Sequence, residues 1–401
     1  MKIKLLDLFK RKTDFNKKAG IIYNGSTNDY AERVDRLNDL SVTAKMAWNT
    51  MSNFIYGQGI AEGGDVIINA EDNTTLSAFT RFLSKVIAKQ RGAYIHVNWN
   101  ANYKISSFKL LPYHTCRKGD KDDENYNAKI LVTENWLVGD TDGKIKKENV
   151  SVIDVFNPDR NVIKAQVEAS NGKNEAEKWL SYKGQIWYFN PDIDYEYALA
   201  RIDAVMEDCD SENQSSVYKN RSLRKGFFGK TMIITKPMTG AVEEYEDRVE
   251  YTKAVTEEEE FTNTAKGWLG AENSGNLLHV QLDHNGDSFD EAIKIEQFRT
   301  DINDKLFEYT ENSVFRNICM AYNNLPLGLV RSENTLFGNS GEMLREMKKA
   351  YQQSVRFERE EVEYIVNRLM KLFVNPIENI ELIPLIEIKE EEEVVESKKE
   401  E

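Results

Sequence analysis

Apolar positions in this chain recur at helical spacing at both ends and alternate in the middle. Val34, Leu37, Leu40, Ala44, Ala47, Met51 and Phe54 fall on one stripe of a helix over 28–56, which Gly57 and Gly59 end. A second helix is predicted over 75–90. Thr75 caps it, Leu76, Phe79, Leu83, Val86 and Ile87 form its buried face, and Gly92 closes it. From there to about residue 190 the period shortens. AYIHVNW, YKISSFKLL, AKILVTENW, VSVIDVF and GQIWYF read as strands, punctuated by turn residues at 98–102 and 140–143.

Helical spacing returns after Pro191 with Tyr197, Ala198, Ile202, Val205 and Met206, and the pattern predicts a helix over 195–226. A short strand at 231–235, a highly charged helix from 241 to 268 and the strand NLLHVQL follow. Ile295, Phe298, Ile302, Leu306, Phe315, Ile318 and Tyr322 then place a helix over 290–323, stopped by Asn323, Asn324 and Pro326. After a Pro-containing loop, Asn339 with Glu342 forms a capping box. It opens one long amphipathic helix carrying Leu344, Met347, Tyr351, Val355, Val362, Ile365, Leu369 and Phe373. The order predicts an α+β fold in which two long helices flank one loop.

Three segments, in this order, resemble the portal (head–tail connector) proteins of tailed bacteriophages. The first is Tyr30-Ala31-Glu32-Arg33 followed by LSVTAKMAWNTMSNFIYGQGI, with its Phe-Ile-Tyr-Gly-x-Gly helix end. The second is Arg91 to Val97 running on to Leu110-Leu111-Pro112. The third is Ala321-Tyr322, Leu325-Pro326-Leu327, the junction Phe337 to Glu342 and the continuation QQSVRFEREEVEYIVNRL. Together they span about residues 28–375. The resemblance implies a flexible N-terminal arm (1–27), a mixed wing domain (28–194), a stem helix (195–226), a small α/β clip lobe (227–289), a second stem helix (290–323), a tunnel loop (323–339), a wing and reduced helical crown segment with an end strand (340–386) and a disordered acidic tail (387–401). It also implies a non-enzymatic subunit of a homo-oligomeric ring, commonly a dodecamer, at the capsid vertex of a virion assembled in the host cytoplasm. Its partners would be double-stranded DNA in the channel, the large terminase, the capsid protein and a tail adaptor. Leu327, Leu329, Val330 and Arg331 are the loop residues expected to meet the duplex. The alternatives are an adaptor or scaffold protein of a phage particle, and a metal-dependent DNA-processing enzyme.

Charge changes the picture of how DNA is met. With 53 basic and 67 acidic residues the formal charge is −14, which argues against gripping nucleic acid by phosphate neutralisation and is compatible with a channel wall along which DNA slides. The last fifteen residues, EIKEEEEVVESKKEE, hold eight of the acids and three lysines. No run of about eighteen apolar residues exists, so no membrane partner is expected. MKIKLLDLFKRK is interrupted by Asp7 and lacks a small-residue cleavage site, and it reads as an arm rather than a signal peptide. Cys116, Cys209 and Cys319 are scattered and odd in number, as in a reducing compartment.

Candidate chemistry is sparse, and neither a cofactor nor a metal is expected. The four histidines, His96, His114, His279 and His284, form no His-x-x-x-His pair. His114-x-Cys116 lacks a second ligand pair at finger-like spacing. Asp208-x-Asp210-x-Glu212 and Asp140-x-Asp142-Gly143 begin like calcium loops but lack the later Gly and Glu. No GxxxxGK[ST] or GxSxG motif is present. Glu257 to Glu260 would point around a helix axis instead of converging.

Overall fold

The computed structural model describes residues 14–16, 20–136, 140–141, 144–145, 149–225, 231–235, 239, 242, 245–268, 277–281, 293–297, 304–330 and 340–386. The fold is mixed helix and sheet. The chain divides into two compact units, one made of residues 1–211 with 313–401 and the other of 212–312.

In the first unit the helix expected over 28–56 is two, α1 (Tyr30–Leu40) and α2 (Val42–Tyr56). The break is at Ser41, whose extended backbone and buried hydroxyl, accepting from Ala44 N–H at 3.0 Å, start a new helix; a capping serine outcompetes helix continuation. Val34, Leu37, Ala44, Ala47, Met51 and Phe54 of the expected stripe all enter the same core, but Leu40, next to the break, is 45% exposed. Thr75 caps α3 (Leu76–Gln90) as expected, and left-handed Arg91 (φ 58°), not Gly92, ends it.

The middle third builds a six-stranded sheet from β1 (Ala93–Trp99), β2 (Ile105–Leu111), β3 (Cys116–Lys118), β4 (Lys129–Val132), β5 (Ser151–Val155) and β6 (Gln185–Phe189), in the order β2-β1-β6-β5-β4-β3. Only β5 and β6 run parallel, in register Asp154 to Gln185. A parallel pair needs a crossover, and two helices that the strand-like reading missed supply it. These are α4 (Arg160–Glu168), capped by Asp159, and α5 (Glu175–Ser181), capped by Asn174. They escaped a periodicity reading because α4 buries only Ile163 and Val167, and α5 buries nothing.

Alternation along β1 sends Ala93, Ile95, Val97 and Trp99 into the main core and Tyr94 into a second one. In the main core Phe79 of α3 meets Phe108 of β2 edge-on at 4.9 Å, and Phe108 meets Phe373 at 5.9 Å. On the other face Tyr94 stacks on Tyr188 at 4.3 Å, and Tyr113, Tyr188 and Tyr197 complete a buried cluster. Tyr197 donates to Ile22 O at 2.6 Å and accepts from Lys118 N at 2.9 Å. The backbone N–H groups that follow are taken by side chains, Ala198 by the Tyr188 hydroxyl at 2.8 Å, Leu199 by Asp192 Oδ2 at 3.1 Å and Ala200 by the Tyr30 hydroxyl at 3.1 Å, which leaves this stretch outside any helix. The helix expected from 195 therefore begins as a 3-10 turn at Arg201–Val205 and becomes α6 at Met206–Lys225. Nearby, fully buried Arg117 is satisfied by Asn28, the His114 and Cys116 carbonyls and Glu32, tying the start of α1 to β3.

The second unit holds β7 (Thr231–Thr235), α7 (Arg248–Trp268), β8 (Leu277–Gln281) and β9 (Ile293–Gln297), with β7 central, parallel to β8 and antiparallel to β9. The charged helix starts at Arg248 rather than 241. The helix expected from 290 is corrected more strongly: Ile293–Gln297 is a strand, and α8 runs only over Asp304–Ala321. Ile293, Lys294, Ile295 and Glu296 alternate at period two, and Ile295 also fitted a helical step, which is where the ambiguity lay.

The long helix expected from 339 to 373 is α9 (Ser340–Ser354) and α10 (Arg356–Leu372), jointed at buried Val355 (φ −101°, ψ 12°). Ser354 Oγ donates to the Tyr351 carbonyl at 2.8 Å at this joint. Asn339, the expected cap, the acidic tail 387–401 and residues 1–13 and 17–19 of the expected arm lie outside the described residues, while the rest of that arm is built into the fold: Ile21–Tyr23 is a strand paired with Asp14–Asn16, and Ile21 and Ile22 are buried. The end strand is two residues long, Leu382–Ile383 against Gly59–Ile60. Gly57 turns the chain beneath it at φ 63°, ψ −135°, where a Cβ would collide with the Ile383 carbonyl. Gly57→Ala should destabilise the fold by more than about 2 kcal/mol in denaturant unfolding, through backbone strain plus the clash.

Candidate functional site

The expected loop site is built on the end of α8. Two successive left-handed residues, Asn323 (φ 55°) and Asn324 (φ 52°), stop the helix, and Asn324 N–H and Leu325 N–H bond back to the Met320 and Cys319 carbonyls at 3.1 and 2.9 Å. Asparagine tolerates this conformation because its short amide can bond locally. Here it also bonds at long range. Asn323 Oδ1 accepts from Arg201 Nη1 at 2.6 Å, while its Nδ2 donates to Ser354 O at 2.8 Å and to Glu358 Oε1 at 3.0 Å. Arg201 pairs directly with Glu358, their side chains 9% and 11% exposed. One asparagine thus joins the entry to α6, the exit of α8 and the joint between α9 and α10.

Tyrosines brace the same turn. Tyr322 donates to Asn38 Oδ1 of α1 at 2.6 Å, and Tyr351 of α9 donates to the Tyr322 carbonyl at 3.1 Å. Burial holds the Tyr322 and Tyr351 phenols protonated, with pKa values raised well above the ordinary range. Past the turn, Leu325 is buried and Leu327–Val330 makes a single helical turn opened by Leu329 N–H to Pro326 O at 2.9 Å. Gly328 passes close to α9, where a Cβ would lie 3.3 Å from Met347 Sδ.

Of the residues expected to meet DNA, Leu327, Leu329 and Val330 are half-buried and pack against the main core; Arg331 lies outside the described residues, as does the rest of the loop to 339. The structure brings the three apolar positions together on the main core. Sequence reasoning identified Asn323 as a helix stop and missed its partners Arg201, Ser354 and Glu358, as well as the bonds of the neighbouring Tyr322 to Asn38 and Tyr351. They come from three segments far apart in the chain, around residues 38, 201 and 351–358.

The cluster is electrostatically uneven. Glu361 is pushed up to about 7, first by desolvation and then by the charge of Glu358, with Asp192 adding to the rise and Arg91 and Arg201 opposing it. Elsewhere His114 Nδ1 lies 3.4 Å from Asp35 Oδ2, and the carboxylate raises its pKa. Cys116 packs among the tyrosines, and burial pushes its thiol up to about 12. His114 and Cys116 therefore serve different surroundings. Among the described residues no three His, Cys, Asp or Glu side chains gather as metal ligands, and no helix is long and apolar enough to cross a membrane.

No family model matches the chain, and no curated protein sequence matches it. Solved structures do. The chain is similar to one from the neck of an empty gene transfer agent (GTA) particle computed with C6 symmetry, at 14% identity over 88% of this chain and 84% of that one, with a TM-score of 0.47. It is also similar to a chain of the virion of a native GTA particle, at 13% identity over 88% and 83%, TM-score 0.44. A third is an HK97-family phage portal protein from Corynebacterium diphtheriae, at 8% identity over 78% and 82%, TM-score 0.37. All three TM-scores lie below one half.

Removing one partner of a buried ion pair leaves the other charge uncompensated. Glu358→Ala should cost about 3 kcal/mol in denaturant unfolding, and Asn323→Ala should cost less because the ion pair survives. Glu361 gives a pH signature. Its folded pKa, about 7, lies above the ordinary glutamate value of about 4.5, so its contribution is fully present below about pH 4.5, falls as pH rises, and is gone above 7. The stability difference between wild type and Glu361→Gln, followed by thermal melts, should therefore decline between pH 5 and 7.5 and then level.

Proposed function

We propose that this protein is a portal-type subunit that closes into a homo-oligomeric ring, commonly of twelve, at one vertex of a phage-like capsid. The observation that carries the reading is the path of the chain. It leaves the first unit through α6, builds a small α/β unit over 212–312, and returns through α8 to a fixed turn at Asn323 and Asn324. That order is what the sequence resemblance requires of stem, clip and stem. The clip is then the three-stranded unit with α7, the docking place for a terminase during packaging and for a tail adaptor afterwards, and the wing carries the six-stranded sheet.

In this reading the loop after Val330 reaches the duplex. Leu327, Leu329 and Val330 seat its base on the core, and Arg331 stands next along the chain to make transient, salt-sensitive phosphate contacts. The net charge of −14 keeps DNA from settling against the wall and favours sliding over gripping. The protein assembles in the host cytoplasm and ends in the virion. It performs no chemistry of its own.

Mass photometry with negative-stain imaging of the purified chain tests this. Rings with an axial hole near duplex width and a mass near twelve protomers are expected. A monodisperse monomer across a wide concentration range would overturn the reading.

A further inference from the structure

α3 is anomalous in an acidic protein. Its fifteen residues, LSAFTRFLSKVIAKQ, contain Arg81, Lys85 and Lys89 at four-residue steps and no acid, so the cations form one stripe along the helix. Beside this stripe runs a surface groove of about 520 Å3 between α3 and the end of β2, with Phe82, Val86, Leu110 and Pro112 among its apolar lining. Phe82 is 54% exposed, unusual for a large aromatic on a helix whose other face is fully buried.

The charges around the groove are unevenly matched. Asp35 is engaged by His114, Asp72 accepts from Thr74, and Lys89 leans over the Trp48 ring at 4.3 Å with Asp39 at 3.8 Å. Lys85 and Lys109, which also line the groove, have no carboxylate partner among the described residues. Trp48 is 8% exposed and lines the same groove, and its Nε1 is buried without a hydrogen-bond partner. An occupant that fits must be acidic, to meet Lys85 and Lys109, and must carry a few aliphatic side chains for Phe82 and its neighbours.

We propose that this groove is a docking site for the chain's own C-terminal segment, residues 387–401. Its composition is complementary. Eight acids against three lysines give it a net charge of −5, and Ile388, Val394 and Val395 interrupt the acidic runs at places where they can seat on an apolar floor. Its starting point also suits the site. The strand Leu382–Ile383 is pinned to Gly59–Ile60, directly after α2, and Leu385 N–H is held by Gln352 Oε1 at 3.1 Å. Both belong to the unit that carries the groove. Fifteen extended residues reach up to about 50 Å, a span longer than the 15-residue helices α2 and α3, each about 22 Å. Docking there would cover the cationic stripe and the exposed aromatic together.

Zero-length carbodiimide cross-linking of the full chain tests the proposal, using an equal mixture of light and nitrogen-15-labelled protein assembled together. Cross-links from Lys85 or Lys109 to glutamates of 387–401 are expected, pairing light with light and heavy with heavy, and falling at least fivefold when salt is raised to about 1 M, where charges beyond about 3 Å are screened. Mixed-isotope cross-links would overturn the assignment to the same chain, and no cross-link from either lysine would overturn the site. A second measurement follows cleavage of the tail by a glutamate-specific protease. Lys85→Glu/Lys109→Glu, both surface changes, should accelerate tail cleavage at least tenfold with an unchanged circular dichroism spectrum. An equal rate in wild type and variant would also overturn the proposal.

Discussion

The buried Arg201–Glu358 pair, bridged by Asn323, fixes where the chain turns in every part of the first unit that matters for the proposed role. Arg201 precedes α6, Asn323 follows α8, and Glu358 sits one turn past the joint of α9 and α10. A pair this deeply buried gains little net stability over apolar replacements, but it is unforgiving of misplacement, because either charge alone in that environment is costly. Its effect is registration. The helix that leaves for the second unit and the helix that returns from it are held at their roots by one set of bonds, so the turn at 323 and 324 has a single geometry.

That registration explains why the apolar residues after Pro326 are packed and not projecting. Leu325, Leu327, Leu329 and Val330 follow a turn whose direction is set by Tyr322 against Asn38 and Tyr351, and they are delivered onto the main core. The loop beyond begins from a seated base. Glu361 adds a soft point. Its carboxyl, desolvated and beside Glu358 and Asp192, changes charge near neutral pH within the same cluster.

The sheet and its two cores are the rigid frame behind this. Strict alternation along β1 divides phenylalanines and aliphatics from a tyrosine cluster whose hydroxyls reach backbone, as Tyr197 does to Ile22 and Lys118. The Tyr188 and Tyr30 hydroxyls, with Asp192, take the N–H groups of Ala198, Leu199 and Ala200 and so keep this stretch out of helical conformation before α6. The stripe of Arg81, Lys85 and Lys89 on α3 is a cationic run in a chain of net charge −14.

Local physics was legible in the sequence wherever one signal acted without competition. Thr75 capping α3, the β1 strand, Thr231–Thr235 and the stop at Asn323 and Asn324 all follow from residue type and period, because capping, alternation and left-handed tolerance are properties of a few neighbouring residues. Breaks within an unbroken apolar stripe were not legible. At Ser41 a local cap outcompetes an apolar spacing that reads as continuous, and at Val355 the buried face continues through the break, so that packing against the core determines where the backbone bends. The parallel pairing of β5 with β6, the strand at Ile293–Gln297 and the convergence of Asn38, Arg201, Asn323, Tyr351 and Glu358 were likewise settled in three dimensions. They join residues tens to hundreds of positions apart, and spacing along a chain carries no information about which distant polar groups must find each other once water is excluded.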